Sequence, residues 1–76
     1  MQITPLASLR APLGGEEIEL QEVRHDAGGM KLLRVRIRER KRFTIFDIDP
    51  ATAKEWGEAM QRWADGQPGA DSGGAT

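Results

Sequence analysis

The sequence predicts an α+β fold: a three- or four-stranded antiparallel β-meander followed by one C-terminal amphipathic helix packed on one face. Three observations carry this. Apolar and cationic residues alternate strictly through Leu33-Arg34-Val35-Arg36-Ile37-Arg38-Glu39-Arg40, which is a strand with one face buried and the other charged. Glu17 to Arg24 alternates in the same way and is bounded by glycine pairs at 14 and 15 and at 28 and 29. Asp49-Pro50 then opens a stretch in which apolar residues recur every three or four positions.

Taken in order, residues 1–15 form an N-terminal arm or edge strand. Leu6 to Leu13 is loosely apolar, but Pro5 and Pro12 interrupt it, and proline cannot donate to a central ladder. Residues 16–65 form the domain proper. Its first strand, Glu17 to Arg24, points Ile18 and Leu20 to one face and Glu17, Glu19 and Gln21 to the other. His25-Asp26-Ala27-Gly28-Gly29 supplies the turn. The next strand, Met30 to Arg38, pairs with Leu20 opposite Val35 and Ile18 opposite Ile37. On the other face this register sets Gln21 beside Arg34, Glu19 beside Arg36 and Glu17 beside Arg38, and opposite charges in such positions contribute about 0.2–1 kcal/mol per pair. A slip of one residue would turn every apolar side chain into water.

Glu39-Arg40-Lys41-Arg42 makes the following turn, and Phe43 to Ile48 returns with Val35 near Phe46, Leu33 near Ile48 and Asp47 opposite Arg34. Its outer face carries Phe43 and Ile45 among Arg36 and Arg38, with Val23 on the same side two strands away, an apolar strip that solubility does not require. Asp49 caps the helix and Pro50 suits its first turn. From Pro50 to about Ala64 the apolar stripe is Ala53, Trp56, Met60, Trp63 and Ala64, expected to lie across Ile18, Leu20, Leu33, Val35, Ile37, Phe46 and Ile48. Gly66 stops the helix, and residues 66–76 read as a disordered tail with nothing to bury.

Composition narrows the function classes. The chain has 76 residues, no cysteine and a single histidine, which excludes disulfides, thiolate metal sites and a separate catalytic lobe. Neither a secretory leader nor an apolar run of membrane-spanning length is present, so a cytoplasmic protein without membrane contact is expected. The net charge is −1, yet residues 31–42 carry a local +6 that leaves −7 elsewhere. Such a dipole suits internal neutralisation or self-association as well as it suits an anionic ligand.

Within that basic run the simpler reading is a solvent-facing strand neutralised by Glu17 and Glu19. The sharper one is an anion surface, with Arg36, Arg38, Arg40, Lys41, Arg42 and Phe43 as its candidates. Arg40, Lys41, Arg42 and Lys31 have no expected carboxylate partner, and Phe43 offers a face on which a base could stack. Asp47 and Asp49 form a D-x-D pair, but capping occupies Asp49 and Arg34 faces Asp47, so no metal site is expected. His25 reads as a turn histidine with no nucleophile to meet, and the glycine pairs as turn punctuation. No catalytic residue and no cofactor is assigned, and an enzyme is not expected.

The basic strand and hairpin from Arg34 to Arg42, the strand Phe43-Thr44-Ile45-Phe46-Asp47-Ile48 and the Asp49-Pro50 helix start followed by Trp56 together resemble the PC4-type transcriptional coactivators and their small bacterial relatives, over Glu17 to Ala64. The resemblance implies a homodimer that binds single-stranded DNA. Independently of it, Trp56, Met60 and Trp63 offer more apolar surface than a one-sided core of this size requires, and they are the candidate dimer contacts. A homodimeric, non-enzymatic accessory module for a protein partner not identifiable from residues is therefore the leading expectation, with single-stranded nucleic-acid binding as the alternative.

Overall fold

The structure is a computed structural model that describes residues 1–26 and 28–70. The turn residue Ala27 and most of the expected tail, 71–76, lie outside the described residues. Four strands, β1 (Gln2–Arg10), β2 (Glu17–Arg24), β3 (Lys31–Glu39) and β4 (Arg42–Ile48), form an antiparallel sheet in the order β1-β2-β3-β4, and helix α1 (Pro50–Asp65) follows. The N-terminal segment is an edge strand that starts earlier than its apolar content indicates and ends before Pro12. Leu6 is inserted as an irregularity between Pro5 and Ala7, next to the proline that cannot donate to the ladder.

The central register is the one that charge and apolar pairing require. Leu20 faces Val35, Ile18 faces Ile37, Glu19 faces Arg36 and Glu17 faces Arg38. Across the next pair, Val35 faces Phe46, Leu33 faces Ile48 and Arg34 faces Asp47. Asp49 caps α1 by accepting a bond from the Thr52 backbone N–H at 3.2 Å and another from the Thr52 hydroxyl. Those bonds, the hydroxyl first, hold the Asp49 carboxyl below the usual carboxylate range.

Two features depart from the sequence reading. Val23, expected on the exposed apolar strip, is 0% exposed and, with Val35, is all the buried apolar core among the described residues. Its register partners Ile3 and Leu32 flank it on the charged face, so that face has an apolar patch of its own at one end. The helix does not cover the inner face. Its contact is concentrated near its N-terminus, where Pro50 and Ala53 lie beside Leu33 and Leu6, and the Trp56 ring sits 5.9 Å from that of Phe46. A side chain at Gly57 would meet nothing within 4 Å, and no helical residue is buried. The helix therefore leaves Ile18, Leu20 and Ile37 only half-buried. The Cα radius of gyration is 14.4 Å, against about 11 Å for a compact chain of this length.

Candidate binding surfaces

The charged face is a ladder in which cationic and anionic residues alternate across strands. Glu17 on β2 accepts a bond from Arg10 on β1 at 2.9 Å and forms an ion pair with Arg38 on β3 at 3.0 Å. Glu19 accepts from Arg36 at 2.9 Å. Arg34 grips Asp47 with two bonds, Nε to Oδ1 at 2.8 Å and Nη2 to Oδ2 at 3.1 Å. This planar fork holds the Asp47 carboxyl below the ordinary range, with a smaller contribution from His25, and the bond to Asp47 raises Arg34 above its own. The antiparallel register is what places each carboxylate opposite its guanidinium, and the even spacing of Arg34, Arg36 and Arg38 puts all three on one face.

Of the candidate anion-binding residues, Arg36 and Arg38 are thus already occupied. Where β4 presents Phe43 and Ile45 in place of an acid, the Arg36 guanidinium settles over the half-exposed Phe43 ring, 5.3 Å from its centroid. A base stacking on Phe43 must displace it. Lys31, expected to be free, lies 3.8 Å from Glu22. Two contacts had no signal in the sequence. Arg10 reaches Glu17 only because β1 extends to residue 10, and His25 Nε2 comes within 3.9 Å of Asp47 Oδ2 from two strands away. A cross-strand partner of β1 becomes readable only once the bulge at Leu6 is known.

Arg40, Lys41 and Arg42 make no ion pair among the described residues. Glu39 pairs with Arg42, so Arg40 and Lys41 form the two-residue loop of the β3–β4 hairpin. Gly14, Glu16, Glu39 and these three cations line an open cleft of about 660 Å³ at that end of the sheet. On the helix, Trp56, Met60 and Trp63 are 41%, 53% and 69% exposed. Together with Ala59 and Ala64 they line an apolar groove of about 490 Å³. Among the described residues, no cluster of three or more His, Asp or Glu is placed to hold a metal ion. Asp47 and Asp49 are committed to Arg34 and Thr52.

The chain is a meander-and-helix module in which Arg34, Arg36 and Arg38 pair with acids of neighbouring strands, while the hairpin-tip cations make no ion pair among the described residues and the aromatic face of α1 is exposed. It belongs to DUF6967, a family of unknown function, whose model matches residues 1–66 and so ends at the glycine that closes α1. No curated protein and no solved structure matches the chain. No helix among the described residues is long and apolar enough to cross a membrane.

Proposed function

We propose that this protein is a non-enzymatic binding or accessory module that works as a homodimer, with Trp56, Met60 and Trp63 as the contacts to the second copy. The observation that carries this reading is the half-exposed to largely exposed state of those three side chains on a helix with no buried residue. The accessible surface is 6177 Å², whereas a folded monomer of 8.4 kDa presents about 4,600 Å². The excess, about 1,600 Å², is larger than the ~800 Å² each partner buries in a standard interface. Large aromatic side chains without a covering element are the groups that dominate such interfaces. Sedimentation velocity tests the reading: a dimer forms at ~10 μM protein, and a monomer persisting at ~100 μM overturns it.

Single-stranded nucleic-acid binding is the second reading, favoured by Arg40, Lys41 and Arg42, which make no ion pair among the described residues, next to the half-exposed Phe43. It is weaker, because Arg36 and Arg38 are held by Glu19 and Glu17 and Arg36 lies over the ring. Anisotropy of a labelled thymidine oligonucleotide, at low and at physiological salt, tests it. Affinity that falls steeply with salt supports it, and its absence at low salt removes it.

A further inference from the structure

We propose that the hairpin end of the sheet is a docking site for an acidic, apolar-anchored segment of a partner protein. The inference rests on reading the chain as a binding module and names the class of partner. It does not depend on the dimer contact.

Two independent features mark the hairpin. Arg40 has φ +55, the one non-glycine residue with positive φ among those described. A hairpin loop of two residues ordinarily fills such a position with Gly, Asn or Asp, whose backbone or short side chain tolerates it. A long cation there carries backbone strain that glycine would relieve, and strain retained at one position points to a task for the side chain. The second feature is electrostatic. Arg36 and Arg38 reach carboxylates across the strands, while Arg40, Lys41 and Arg42 have none within ion-pair distance among the described residues.

The surroundings select the ligand. Glu16 and Glu39 line the same cleft as the three cations. A nucleic-acid strand is anionic at every residue and meets those carboxylates unfavourably, and a groove that tracks a backbone needs a longer run of free cations than one hairpin tip offers. A protein segment places its acids individually, so carboxylates can meet the guanidinium forks while its donors face Glu16 and Glu39. Leu13, fully exposed, precedes the cleft-lining Gly14 in the chain and is the apolar side chain assigned to the segment's anchor.

The test is fluorescence anisotropy of the full chain with two probes, a fluorescein-labelled peptide of glutamate and leucine residues and a labelled thymidine oligonucleotide of equal charge. The peptide binds and the oligonucleotide binds more weakly. Charge reversal by Arg40→Glu with Arg42→Glu weakens the peptide at least about tenfold, and Leu13→Ser weakens it severalfold. Arg40→Gly separates ligand binding from a structural role, because it relieves the positive φ and raises thermal stability while lowering peptide affinity. A folded protein that ignores the peptide at low salt, peptide affinity indifferent to the charge reversal, or tighter binding of the oligonucleotide overturns the proposal. Sedimentation reports separately on the dimer, so the two readings fail independently.

Discussion

Trp63→Ala is the most informative single change, because Trp63 is the more exposed tryptophan of the helix and takes no part in the Trp56–Phe46 contact that ties the helix to the sheet. At 69% exposure it presents roughly 170 Å² of a side chain that buries up to ~250 Å² in full. In a two-fold interface the residue is lost twice, about 340 Å², for a ceiling of about 8.5 kcal/mol at about 25 cal/mol per Å². Even a quarter of that ceiling, about 2 kcal/mol, raises the dimer dissociation constant roughly thirtyfold. Alanine is also the better helix former, so the isolated fold is retained. Sedimentation velocity across a concentration series, with far-ultraviolet circular dichroism as the folding control, reads the outcome. A folded Trp63→Ala protein that dimerises as tightly as the parent refutes the helix-face interface.

Three further outcomes follow from the packing and the charge ladder. Val23→Ala removes two methyl groups from a fully buried site and lowers unfolding free energy by about 2 kcal/mol in urea melts; an unchanged midpoint would mean the charged face does not close over it. Asp47→Asn loses the anionic partner of Arg34, lowers the melting temperature at neutral pH and flattens the acid limb. Because the folded Asp47 carboxyl is held below its usual range, its contribution is complete above about pH 4 and is lost as pH falls through the lowered value. A variant melting curve that keeps the parent's acid dependence would assign that dependence to another group. Gly57→Ala meets nothing within 4 Å and raises stability by about 0.5–1 kcal/mol through helix propensity; a loss instead would reveal a second backbone approaching that glycine.

Strand order, register and the helix start were legible in the residues. A side-chain period of two and opposite charges on facing strands are pairwise properties, so Glu17–Arg38 and Glu19–Arg36 follow from the β2–β3 register and Arg34–Asp47 from the β3–β4 register. Asp49-Pro50 is a local capping signal and appears where that signal places it. The run of hairpin cations, Arg40, Lys41 and Arg42, was legible as well, but that Glu39, the register partner of Arg42, makes no ion pair with it among the described residues was not. The aromatic stripe of α1 was legible as a pattern, but not the side of it left open, since that depends on the angle at which the helix leaves β4.

By itself, then, the sequence determined which residues neighbour one another across β2, β3 and β4, because hydrogen-bond register and charge pairing act over one strand spacing. Tertiary structure alone decided that Val23 is closed over on the charged face, that His25 reaches Asp47 from two strands away, and that the helix stands off Ile18, Leu20 and Ile37. Those outcomes depend on how the strands and helix are disposed in space, which emerges from the packing of all elements together and is encoded in no local pattern.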